Sequence, residues 1–277
     1  MRTHETRIGL FILLVVAMVS LWLSAWPIAA SRQQDSQAIQ DARNKRETEA
    51  LDHVPIVDYE NSVPSSLNLD PQARALRKAK SARYAKHVKG LIRDREADQG
   101  MILTSPYVAP LPALPVGRST LIALGEVVDS QAYLSDDKTG VYSEFSLRIE
   151  EVFKDDPLKP SFPGSLVVGE RFGGRVRFPS GRVTFYGNRE QGMPRQGRRY
   201  VFFFERSDQQ YSILTAYELL AGRIYPLDGR NAPAGEGTHW AGDAYEKTDA
   251  LRFLNDLKRA LSAYSPTALE KGVARRR

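Results

Sequence analysis

The chain has 277 residues, of which 42% are hydrophobic and 26% charged, with a formal net charge of +6. These proportions are those of a globular protein and set the chain apart from disordered or fibrous ones. The absence of cysteine rules out disulfides, thiolate metal sites, cysteine nucleophiles and lipid attachment through a thiol.

Apolar residues are unevenly distributed. They crowd the N-terminus, residues 118–226 and a stripe near 250–264. This points to one core of roughly 110–150 residues, an ordinary size for a single domain.

No charged residue occurs between Arg7 and Arg32, and Arg2 and Arg7 precede the uncharged run. About 20 apolar residues span a bilayer, so residues 8–30 are long enough to do so. The segment 1–31 is therefore expected to be a signal peptide or a transmembrane anchor. Ile28-Ala29-Ala30 before Ser31, with Pro27 upstream, suits cleavage. Trp22 and Trp26 suit retention at the membrane interface. Either way the C-terminal domain is expected outside the cytoplasm, as a secreted, periplasmic or membrane-anchored protein.

Residues 32–100 read as a charged helical stalk and linker. Asp70-Pro71 is a helix start, with aspartate as N-cap and proline at the first helical position. A helix is expected from there to Lys89, closed by Gly90. Its apolar positions scatter round the helical wheel, which predicts no strong packing face. Residues 101–117 carry Pro106, Pro110, Pro112 and Pro115 and are expected to be an extended linker.

Residues 118–228 read as short strands between turns. LIALGEVVDSQAYL is apolar and β-branched, and SDDKTG is a turn. VYSEFSLRI alternates, then breaks register at Glu150-Glu151 as a bulge would. SLVVGE is a short strand. Arg175–Phe178 and Arg182–Phe185, around Pro179-Ser180-Gly181, form a hairpin. Arg199–Glu205 (RYVFFFE) is the central buried strand. Turns at 207–210 and at Ala221-Gly222 lead into YSILT and Arg223–Tyr225. The class is mainly β, an OB-like barrel or sandwich. Residues 229–264 read as a loop, Gly-rich over Asn231–Gly242, and a packing helix over about 247–264 that presents Leu251, Leu254, Leu257, Leu261 and Tyr264 to the barrel. Residues 265–277 form a basic tail.

Gly125-Glu126-Val127, the Phe145–Phe153 strand ending in Lys154-Asp155, and Gly197–Phe204 followed by Tyr-Ser-Ile-Leu resemble bacterial exported β-domain proteins. Those are distantly similar to the OB-type barrel of netrin-like and metalloproteinase-inhibitor domains. The resemblance covers roughly 118–228 and implies a fold and no activity. The animal inhibitors act through a disulfide-clamped N-terminal cysteine, which this chain does not have.

The four histidines, His4, His53, His87 and His239, have no partner at metal-ligand spacing, so no metal or other cofactor is expected. His239, four residues before Asp243, is the one place where a general base is conceivable. The acidic pairs Asp136-Asp137 and Asp155-Asp156 read as solvated turns. Between Arg171 and Arg206 arginine dominates. Arg175, Arg177 and Arg182 are expected on one hairpin face, opposite Val176, Phe178 and Val183. Guanidinium forks there suit an anionic polymer or an acidic envelope protein. Nucleic acid is not expected outside the cytoplasm. The expected function is a non-enzymatic binding or structural module of the cell envelope. The alternative is an envelope hydrolase with a dispersed active site.

Overall fold

The computed structural model describes residues 51–60, 70–85, 91–94, 101–103 (backbone), 111–188, 191–207, 209–229 and 244–264. The uncharged run 8–30, most of the stalk, the loop 230–243 with His239 and Asp243, and the tail lie outside them. Among the described residues no helix is long and apolar enough to cross a membrane. The chain divides into units 1–52 and 53–277, and the account below concerns the second.

That unit is mainly β, with two sheets and two helices among its described residues. Strands β1 (Ile56–Asp58), β2 (Met101–Leu103), β6 (Gly174–Arg177) and β7 (Val183–Gly187) form a four-stranded sheet in the order β1-β6-β7-β2. The larger sheet contains β3 (Leu121–Leu134), β4 (Val141–Lys154), β5 (Leu166–Phe172), β8 (Arg199–Ser207), β9 (Gln210–Leu220), β10 (Arg223–Pro226) and β11 (Thr248–Asp249). Helix α1 spans Pro71–Tyr84 and α2 spans Ala250–Tyr264.

Within the larger sheet, β3 pairs with β4, β4 with β5, β5 with β9, β9 with β8, and β8 with β3. Five strands thus form a circuit of hydrogen-bonded neighbours, antiparallel except for β5 with β9. The Glu150-Glu151 bulge is present. Leu124 pairs with Glu151 and Gly125 with Ile149, so Glu150 has no partner on β3. In β8, Tyr200 to Phe204 are all buried. The strand bonds to neighbours on both edges and packs on both faces, as its unbroken apolar run predicts. At Ala221-Gly222 both residues have positive φ, 51° and 73°, the backbone of a tight two-residue hairpin.

One side of the circuit packs Phe202, Phe204 and Tyr211 ring to ring, with centroids 5.4 and 5.7 Å apart. Gly169 leaves room for them: a Cβ there would lie 2.6 Å from the Phe204 ring. The other side of β3, β8 and β9 presents Ile122, Leu124, Val201, Phe203 and Tyr217 to α2, which inserts Phe253 and Leu257. The α2 stripe is centred on those two residues; Leu251 is exposed and Tyr264 only edges the packing. The helix starts three residues later than the periodicity suggests, because Thr248 and Asp249 pair with β10. Asp249 then accepts a hydrogen bond from the Arg252 N–H.

Two segments expected to be linkers are strands. Ile56–Asp58 runs parallel to β6 and Met101–Leu103 parallel to β7. Three residues are too few to show a period, and both strands depend on a partner distant in sequence. Val57 joins Ile92, Leu134, Val176, Phe178 and Tyr186 in a second core.

Candidate functional site

The arginine hairpin forms, but its register divides the three arginines. Arg175 pairs with Phe185 and Arg177 with Val183. The Phe178 N–H donates to the Arg182 carbonyl, which puts Arg182 opposite Phe178 on the other face of the hairpin. Five residues separate Arg177 from Val183, and this odd number keeps the alternation in phase across the turn, so even-numbered Arg182 falls on the face opposite Arg175 and Arg177. Each arginine also has a partner. Arg175 Nε donates to the Val54 carbonyl at 2.9 Å. Arg177 meets Asp58 at 3.3 Å, and Arg182 meets Asp94 at 3.2 Å. These side chains stitch β1 and the 91–94 segment to the hairpin.

A second constellation lies on the outer face of β4 and β5, under α1. The helix is capped as its sequence dictates: Asp70 accepts from the Ala73 N–H at 2.8 Å. It ends at Tyr84, five residues before Lys89. It has no apolar stripe, and Lys80, Ser81 and Tyr84 are its buried residues. Its packing face is cationic. Arg77, Lys80 and Arg83 recur every three residues, the spacing that lines side chains along one helix face. Arg77 lies over the Tyr133 ring, 4.5 Å from its centroid. Lys80 pairs with Glu144 at 2.6 Å and Arg83 with Glu170. Tyr84 follows, stacked on Tyr142 at 4.7 Å, and Tyr142 stacks on Tyr133 at 5.3 Å. Ser81 Oγ accepts from the Asp136 N–H at 2.7 Å.

Glu144 and Glu170 are direct cross-strand partners. Like charges placed opposite one another repel, and here each is met by one cation of α1. The Glu170 side chain is 1% exposed, and its Oε2 has no hydrogen-bond partner among the described residues. Burial pushes its pKa above the ordinary 4.5, with Glu144 adding to the rise and Arg83 and Lys80 opposing it. The Tyr133 hydroxyl is pushed up to about 12 by burial and Glu144. Burial raises Tyr84 and Tyr142 as well. A cleft of about 220 Å³ opens beside the cluster, lined by Ala73, Leu76, Arg77, Lys80, Tyr133, Glu144 and Gln210. Acidic oxygens among aromatic faces form a surface that recognises cations.

The raised pKa has a sign. A carboxyl whose folded pKa lies above its unfolded value binds more protons when folded. Its contribution to stability is therefore largest at low pH and falls as pH rises through the interval above the ordinary 4.5. Lowering the pH from about 7 towards about 5 should stabilise the parent relative to Glu170→Gln, which cannot titrate. Urea midpoints at several pH values measure the difference, and parallel pH profiles would contradict it.

Elsewhere, Asp137 accepts from Ser135 Oγ and the Thr139 N–H, a turn as expected. Asp156 departs from its reading as a solvated turn residue. It is fully buried and accepts from the Tyr211 hydroxyl at 2.9 Å, with Arg206 at 2.8 Å. His53 is hydrogen-bonded through Nε2 to the Met193 carbonyl at 3.2 Å. Among the described residues no three His, Asp or Glu side chains are grouped to hold a metal ion.

No protein-family model matches this chain, and no curated protein matches it. Its function is therefore argued from the site. Part of the signal was in the sequence: Arg74, Arg77, Lys80 and Arg83 recur every three residues, and Tyr84 follows them.

Proposed function

We propose that this chain is an exported or membrane-anchored, non-enzymatic binding module of the cell envelope, built on an OB-type barrel. The strand circuit supports the fold. Numbered within the circuit, the neighbours run 1-2-3-5-4-1, with strands 3 and 5 parallel, as in OB-type barrels. Such barrels bind ligands on the face of strands 2 and 3, between the loops joining strands 1 to 2 and 4 to 5. In this chain that face is β4–β5, between the 135–140 loop and the connection from β8 to β9.

The observation that carries the reading is the position of the Glu144/Glu170 pair. The pair sits on that face, and Glu144 and Gln210 line the adjacent cleft. Below the pair the same face continues through Ser146, Arg148, Val168 and Leu166, and Leu166 is 66% exposed. The arginine hairpin supports an anionic partner less well, since its charges meet Asp58, Asp94 and a backbone carbonyl.

Two measurements test this. A reporter active only outside the cytoplasm, fused after Tyr264, should be active. A stable but silent fusion would contradict export. A photo-crosslinking side chain at Val168, beside the covered half of the face, should trap a partner in intact envelopes. An active reporter with no adduct would remove the binding role from this face.

A further inference from the structure

We propose that the acidic β4–β5 face is a receptor for a cationic helix of a partner protein, and that α1 is its replaceable occupant in cis. This rests on the binding-module reading and names the partner class for that face. The helix recognised carries cations at positions i, i+3 and i+6 and an aromatic at i+7. Arg77, Lys80, Arg83 and Tyr84 supply that pattern, and Tyr133, Glu144, Glu170 and Tyr142 receive it one for one.

Three observations make α1 exchangeable. Two of its contacts with the sheet are the ion pairs Lys80–Glu144 and Arg83–Glu170, and buried ion pairs return little net stability because both partners are desolvated. The receiving site is incompletely satisfied, since Glu170 Oε2 is buried with no hydrogen bond among the described residues. Finally, a helix of 14 residues is marginal by itself in water, so α1 has no independent fold that would hold it on the face. Helix α2 is held differently, by Phe253 and Leu257 in an apolar core. The receptor side is prepared for the helix backbone: Gly140 is bare where a Cβ would lie 1.8 Å from the Tyr84 carbonyl oxygen.

The probe is a labelled peptide with the sequence of residues 70–85, added to the full chain. In the parent, α1 competes at the high effective concentration of a tethered segment. In Arg77→Gln/Lys80→Gln/Arg83→Gln the internal helix keeps its helix-forming side chains and loses the three cations that meet the face, while Arg74 and Lys78 remain. The peptide should bind this variant at least about tenfold more tightly than the parent. Adding Glu144→Gln and Glu170→Gln should abolish the gain, and a peptide with the three cations replaced by Gln should not bind. Gly140→Ala reaches the open face by another route, pushing α1 off with every charge kept, and should show the same gain.

Equal binding to parent and opened variants, or equal binding of the neutral peptide, would overturn the proposal. So would loss of the cooperative unfolding transition in both opened variants, because α1 would then be a fixed part of the core. A failed peptide experiment with a crosslinked adduct at Val168 leaves the binding module standing with a different ligand. Tight peptide binding with a silent reporter keeps the receptor and removes the envelope.

Discussion

Asp228→Ala should destabilise the domain by about 3–5 kcal/mol, the range expected when one partner of a buried ion pair is removed. Arg171 and Asp228 are 2% and 4% exposed. Arg171 Nη2 donates to both carboxylate oxygens, at 2.8 and 2.7 Å, and Nη1 donates to the Gly192 carbonyl at 2.6 Å. The Gly192 N–H in turn donates to Asp228 Oδ1 at 2.9 Å. One carboxylate therefore ties β5 to the segment after β10 and to the loop before β8. Without it the guanidinium stays buried with its Nε already unpartnered. Urea unfolding should show a lower midpoint at an unchanged slope. Replacing both residues with apolar side chains of similar size should recover most of the loss. A single-variant loss below about 1 kcal/mol would show that the guanidinium finds water and that the pair is not structural.

These residues also mark how far the sequence could be read. Strands that carry their own signal were legible: the alternation from Phe145 to Ile149, the bulge at Glu150, the unbroken run from Tyr200 to Phe204 and the Ala221-Gly222 turn are where expected. Elements whose reason lies elsewhere in the chain were not. Ile56–Asp58 is a strand because β6 offers it an edge, and nothing in three residues reveals that. Asp156 reads as a turn residue because no local feature announces Tyr211 and Arg206. The arginine face failed on parity: Arg175 and Arg177 pair with Phe185 and Val183, residues of their own parity, so the even-numbered Arg182 falls on the other face. The acidic pair was invisible because Glu144 and Glu170 are 26 residues apart in the chain and directly opposed in space. Their match with Arg77, Lys80 and Arg83 is a tertiary fact.

The two helices rest on the sheet by opposite physics, and the second large effect follows from this. Phe253→Ala should cost about 3–5 kcal/mol, the range for removing a fully buried aromatic side chain. Phe253 is fully buried. Its ring centre lies 4.8 Å from that of Tyr217 and 5.0 Å from that of Tyr245, the latter edge-on. Around them Ile122, Leu124, Val201, Phe203, Ile224 and Leu257 complete the core. A truncated side chain leaves a cavity bounded by β-strands that cannot collapse inward, so the cost belongs near the upper end. The loss should be insensitive to salt, because the interaction is apolar. The contribution of Lys80 and Arg83 on α1 should shrink between low and high salt, by less than that of fully exposed pairs because these pairs are largely buried. Thermal unfolding of Phe253→Ala and of Lys80→Gln/Arg83→Gln at two ionic strengths separates the two cases. Equal salt dependence in both variants would mean that α1 is also held by its apolar contacts, with Tyr84 on Tyr142 as the main anchor. If α1 is the salt-sensitive one, the sheet has one helix that completes its core and another that only closes its acidic face. A partner could displace the second without unfolding the first.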